Sequence, residues 1–162
     1  MLNEKLTNLM DEFAAAVNGD TQFGLLEKMN DAVTEEDQQE MIEKIQKLEE
    51  PLVEADGKFV NALMKAQSAQ TDEEAAAAFD ELEKVSQEFE KLEIEFQRGY
   101  QKTVCEKFCE VAARINVADD MASLVPVDLT DENTVADLEA EGMPNTAKIV
   151  QAARTKKDGP AA

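Results

Sequence analysis

The sequence predicts an all-α protein, a helical bundle built on a long antiparallel, coiled-coil-like hairpin with a shorter N-terminal helix and small C-terminal helices. Three observations lead there. Apolar residues recur at steps of three and four over long stretches, the period of one helix face and not of a strand. Two of those stretches open on a threonine followed by a run of acids, the signature of a helix N-terminus. The composition is also that of helices: of 162 residues 43% are hydrophobic but only 5% aromatic, with one Tyr and no Trp, and the strong helix formers Ala, Leu, Glu, Lys and Gln dominate. A chain of this length buries about two-thirds of its unfolded surface, so its core needs neither disulfides nor metal.

Leu2, Leu6, Leu9, Phe13 and Val17 make a helix-period stripe that Asn18-Gly19-Asp20 ends with turn residues, which gives the first helix. Residues 21–33 carry Phe23, Leu25, Leu26, Met29 and Val33 around Gly24, a short helix or an irregular link. Thr34 with Glu35, Glu36 and Asp37 opens the stripe Met41, Ile45, Leu48, Leu52, Ala55, Phe59, Leu63, Ala66. The register crosses Pro51, where a helix either kinks or restarts, because proline lacks the backbone donor and crowds the preceding turn. Thr71 with Asp72, Glu73 and Glu74 opens the next stripe, Ala75, Ala78, Leu82, Val85, Phe89, Leu92, Phe96, Gly99, Thr103. Val104, Phe108, Val111 and Ile115 continue it one step out of phase, and no breaker intervenes before about residue 117. A helix of some 45 residues would be about 65 Å long. Gly99 marks either a bend or a close helix crossing, and the first helix is expected to lie along the hairpin as a third member.

The chain divides by composition into residues 1–118, the acidic hairpin domain, and residues 119–162. The latter begin with an acidic linker, 119–142, that holds eight acids and no base. In it Pro126 breaks an apolar run, and Thr130 is expected to cap a short helix ended by Gly142. Pro144 then starts a basic amphipathic helix: Ile149, Val150 and Ala153 share one side, with Lys148, Arg154, Lys156 and Lys157 around it. The last residues, Asp158 to Ala162, are expected to fray.

With 36 acids against 16 bases the formal charge is −20. Such a surface repels phosphates and anionic lipid, so direct nucleic-acid or membrane binding is not expected, and the complementary partner is a protein with a basic surface. No histidine is present, which removes imidazole catalysis, His-dependent triads and His metal ligands. Cys105 and Cys109 stand one helical turn apart and are half of a zinc site at most; their plain reading is two small core residues. Asp128 to Glu139 has acids at both ends, but Asn133 replaces the glycine that a calcium loop requires. No phosphate loop, dinucleotide fingerprint or nucleophile elbow occurs. No enzyme activity, cofactor or metal is therefore expected. The start, MLNEKLTNLMDEF, reads as neither a signal nor a transit peptide, nothing approaches a membrane span, and the expected location is the cytoplasm.

Two functions of different class fit. The first is a non-enzymatic protein-binding or assembly factor, scaffold- or chaperone-like: an elongated acidic body that forms a homodimer or higher oligomer, with the basic C-terminal helix docking on a partner through Lys148, Ile149, Val150, Ala153, Arg154, Lys156 and Lys157. Self-association is expected through Met41, Phe59, Phe79, Phe89, Phe96 and Phe108, which are more apolar surface than one short third helix can cover. The second is an acidic mimic of nucleic acid that occupies the basic cleft of a DNA- or RNA-binding protein, for which residues 119–142 offer acids free of lysine. The charge layout, an acidic helical body with a basic helical C-terminus, resembles the general plan of viral scaffolding proteins. It is a likeness of layout, with no motif and no residue carried across.

Overall fold

The computed structural model describes residues 2–157, which form seven α-helices and one short 3-10 turn, with no strand among them. Helix α1 (Glu4–Gly19) is capped by Asn3, whose side chain accepts the Leu6 N–H at 2.9 Å. The link to α2 (Leu25–Ala32) is organised by Asp20, whose carboxylate accepts the N–H groups of Leu25, Phe23 and Gln22 at 3.0, 3.1 and 3.1 Å. Those bonds, the Leu25 one foremost, hold its carboxyl below the usual range. Gly24 follows at φ +59°, a left-handed conformation that glycine adopts without strain.

Helix α3 (Glu35–Ser68) starts on a reciprocal cap: Thr34 Oγ1 accepts the Asp37 N–H at 3.1 Å, and the Asp37 carboxylate accepts the Thr34 N–H at 2.9 Å. It runs through Pro51 as one element. Pro51 is exposed, so the carbonyl of Lys47 that loses its partner there is open to water. Helix α4 (Asp72–Arg114, 43 residues) has the expected length, and the two long helices pack closely as an antiparallel hairpin.

The described residues fall into two compact units, 2–42 with 101–157, and 43–100. The division expected at residue 118 is therefore not the one the contacts make. The reason is a shared core: Leu6, Leu9 and Phe13 of α1, Leu25 and Met29 of α2 and Cys109, Val111 and Ala112 of α4 cluster with the helices that follow residue 118. Helix α1 places its stripe in this core, against Cys109, Val111 and Ala112 near the C-terminal end of α4. The stretch expected as an acidic linker contains a helix, α5 (Ala118–Leu124), which turns Met121 and Ala122 inward and Asp119 outward. After the 3-10 turn Val127–Leu129 comes α6 (Glu132–Ala140). Its cap is Asp131 and not Thr130: the Asp131 side chain accepts the Asn133 and Thr134 N–H groups, both at 3.0 Å, and Thr134 Oγ1 accepts the Asp131 N–H in return. Gly142, at φ +75°, ends α6, and α7 (Pro144–Lys157) closes the unit.

In the second unit the pattern is a heptad throughout. The positions turned toward the facing helix are Ile45, Leu48, Leu52, Ala55, Phe59, Ala62, Ala66 and Ala69 on α3, and Ala75, Ala78, Leu82, Val85, Phe89, Leu92, Phe96 and Gly99 on α4. They alternate in steps of three and four, the left-handed packing the sequence suggests. One position shifts: Ala62 is the buried residue, while Leu63 is 38% exposed. Gly99 marks a close approach, since a Cβ built there would lie 2.9 Å from Leu48 Cδ2.

Candidate functional site

The second unit has two helices and no third layer, and its burial shows it. Only Ala55, Ala62 and Ala78 are buried within 43–100, whereas the larger members of the same seam, Phe59, Phe89 and Phe96 among them, are half-buried. All the exposed large hydrophobics among the described residues lie here or one residue before: Ile42, Val53, Val60, Leu63, Met64, Phe79, Ile94 and Tyr100. Helices normally bury such residues against another layer.

The helical period sorts these residues by face. A residue that follows a seam position lies about 100° further round its helix, and in an antiparallel pair those flanks from both helices fall on the same side. On that side stand Val53, Val60 and Leu63 of α3 with Phe79 and Tyr100 of α4, interspersed with Glu49, Asp56, Glu83, Glu90 and Glu93. It carries no base. The residues that precede a seam position form the opposite side, and they include Lys44, Lys47, Lys58 and Lys65 of α3 and Lys84, Lys91 and Arg98 of α4, which are all the bases between 43 and 100. Two contacts confirm the sorting. Lys65 reaches Glu81, another residue that precedes a seam position, at 3.4 Å across the base-bearing side. On the base-free side a cavity of about 360 Å³ is lined by Asp56, Phe59, Ser86, Phe89, Glu90 and Glu93. Two phenylalanine rings thus sit among three carboxylates.

The residues expected to self-associate are divided between the units. Phe59, Phe79, Phe89 and Phe96 belong to the hairpin unit, Phe79 at 61% exposure, and Phe96 meets Tyr100 at 6.3 Å between ring centroids. Met41 and Phe108 lie in the other unit, and Phe108 packs against its core.

The basic tail helix is placed differently from expectation. Ile149, Val150 and Ala153 are buried in the core, so their apolar side is already covered and is not free to dock. Its bases also have partners within the chain: Arg154 pairs with Glu132 at 3.5 Å, Lys156 donates to the Asp119 carbonyl at 2.8 Å, and Lys157 donates to the Val127 carbonyl at 3.4 Å. Lys148 is exposed. The N-terminus of α7 is held by Glu106, which accepts the Asn145 N–H at 2.8 Å, Asn145 Nδ2 at 2.9 Å, the Thr146 N–H at 3.0 Å and the Thr146 hydroxyl at 2.8 Å. A carboxylate from another helix thus serves as the cap at the positive end of α7.

Around residues 37 and 114 the charges neutralise one another. Asp37 accepts from Arg114 Nη2 at 2.6 Å, and buried Lys107 lies 2.6 Å from Glu40, 2.9 Å from Glu110 and 3.6 Å from Asp37. The Arg114 bonds hold the Asp37 carboxyl far below its usual range. Burial opposes the charge on Lys107, but its bonds to Glu40 and Glu110 prevail and its ammonium is pushed up to about 12. Cys109 is buried and Cys105 half-buried beside Thr146, with 3.8 Å from Cys105 Sγ to Thr146 Oγ1. Their contact lowers the Cys105 thiol and raises that of Cys109. Among the described residues no group of three or more carboxylates and thiols is placed to hold a metal ion, and no helix is long and apolar enough to cross a membrane. Comparison with protein-family models, with curated proteins and with solved structures gave no match.

Proposed function

We propose that this chain is a non-enzymatic protein-binding or assembly factor of the cytoplasm, and that it binds through the hairpin 43–100 and not through its C-terminal helix. One observation carries the reading: in a two-helix unit whose buried apolar residues are all alanines, Val53, Val60, Phe79 and Tyr100 are 69, 44, 61 and 45% exposed. Large apolar residues left exposed together on one side of an element mark an interaction site.

The nucleic-acid mimic is the weaker reading. Residues 119–142 are free of bases in sequence, but in the fold Lys5 pairs with Asp131, Lys102 with Glu141 at 3.9 Å and Arg154 with Glu132. A row of carboxylates broken by bases is a poor imitation of phosphates.

The test is affinity capture by the tagged full chain from its native lysate, in parallel with a Val60→Lys/Phe79→Lys variant, each washed at low and high salt. The proposal expects proteins retained by the wild type through high salt and lost from the variant. Equal retention by both would refute binding through the hairpin. Release of a nucleic-acid-binding protein from both by salt alone would favour the mimic.

A further inference from the structure

The base-free side of the hairpin has a charge as well as an apolar character, and the two together define what can cover it. Its exposed apolar residues, Val53, Val60, Leu63, Phe79 and Tyr100, are interleaved along both helices with Glu49, Asp56, Glu83, Glu90 and Glu93. All seven bases lie on the other side. A second copy docked by the same face in an isologous pair would bring these carboxylates against their own equivalents, and like charges juxtaposed in an interface cost several kcal/mol. A neutral apolar helix would desolvate the carboxylates and leave them unpaired. A segment with apolar residues on one side and lysine or arginine at its flanks satisfies both requirements.

We propose, resting on the reading of the hairpin as a binding surface, that this face docks a cationic amphipathic helix of a partner protein. The cavity between Phe59 and Phe89 receives one of its arginine or lysine side chains. The cavity fits that role chemically. Phe59 and Phe89 bring aromatic rings to its lining, where a cation is attracted, and Asp56, Glu90 and Glu93 supply the countercharge. Its volume of about 360 Å³ admits a single long side chain. Val53, Val60 and Leu63 stand exposed on the same side of α3 and are available as apolar contacts.

The probe is a synthetic 18-residue helical peptide of leucine, lysine and arginine, titrated calorimetrically into the full chain, with a counterpart carrying glutamate in place of every base. Two triple variants separate site from overall charge: Asp56→Gln/Glu90→Gln/Glu93→Gln on the proposed face, and Glu81→Gln/Glu88→Gln/Glu95→Gln on the other. Both remove the same charge from exposed positions. The proposal expects the cationic peptide to bind, the acidic one not to, at least a tenfold loss in the first triple and less than about a twofold change in the second. Equal losses in both triples would mean general attraction to an acidic protein and would overturn it. So would equal binding of the acidic peptide, or a dimer in sedimentation that Val60→Lys dissolves while the cationic peptide fails to bind. If the peptide fails but Val60→Lys/Phe79→Lys still abolishes capture of native proteins, the partner class falls and the binding role of the hairpin stands.

Discussion

Truncating Glu106 to alanine tests whether α7 is a core element or a detachable one. The carboxylate takes four hydrogen bonds from Asn145 and Thr146. Asn145 is half-buried and can turn to water, but Thr146 is 1% exposed, so its N–H and hydroxyl would lose their partner inside the protein. A buried donor left unsatisfied costs about 1–3 kcal/mol, and loss of a helix cap about 1 kcal/mol. Because the Thr146 N–H is counted in both, the expected loss is about 3 kcal/mol. Glu106→Gln keeps one acceptor but turns an amide NH2 toward the remaining donors, so it should lose about half of that. The assay is urea unfolding of the full chain, with hydrogen exchange of the α7 amides to show where the stability is lost. A Glu106→Ala loss below about 1 kcal/mol, or α7 amides that exchange as fast in the wild type as in the variant, would refute the trans cap and with it the placement of α7.

The other predictions concern the remaining elements. Deleting residues 143–162 should expose the core of the first unit and cost helicity there, read by circular dichroism, and unchanged helicity would count against the core in which Ile149 and Val150 are buried. Asp37→Ala removes a buried carboxylate that accepts from the half-exposed Arg114 and from the Thr34 N–H, and should destabilise by about 1–3 kcal/mol in urea unfolding. Because the folded Asp37 carboxyl titrates below its ordinary value of 3.8, its contribution is full above about pH 4 and is lost as pH falls below that. Wild-type stability should therefore decline toward low pH more steeply than that of the variant, and parallel declines would contradict the assignment. Gly57→Ala, in the middle of α3 with nothing within 4 Å of the added methyl, should raise thermal stability by about 0.5–1 kcal/mol, and a loss would mean the position makes a contact the hairpin alone does not show.

Much of the fold was legible because helices announce themselves locally. The stripes of α1, α3 and α4, their threonine and acid starts, and the start of α7 at Pro144 need only spacing and capping chemistry. What was not legible depended on tertiary partners. The amphipathic pattern of α7 is the same whether its apolar side meets this chain or another, and only the fold shows Ile149, Val150 and Ala153 inside. Helix α5 is short and acidic at its start, so Asp119 and Asp120 hid the inward Met121 and Ala122. Asp131 competes with Thr130 for one cap, and a three-residue offset to Thr134 decides it. The candidate face, by contrast, was present in the sequence as a second signal. The residue after each seam position is never a base between 43 and 100 and the residue before it often is, an asymmetry visible once the seam is fixed at Ala62 and not Leu63.

Occupancy of the base-free side is read directly by site-specific photo-crosslinking in the native cell, with a benzophenone side chain at position 86, between the carboxylates of that side, or at position 84, on the opposite side. A cationic amphipathic helix docked there gives adducts to a different protein from position 86, mapping to a peptide rich in lysine or arginine and apolar residues, and few or none from position 84. Equal adducts from both positions, or from position 86 only to a second copy of this chain, would contradict it.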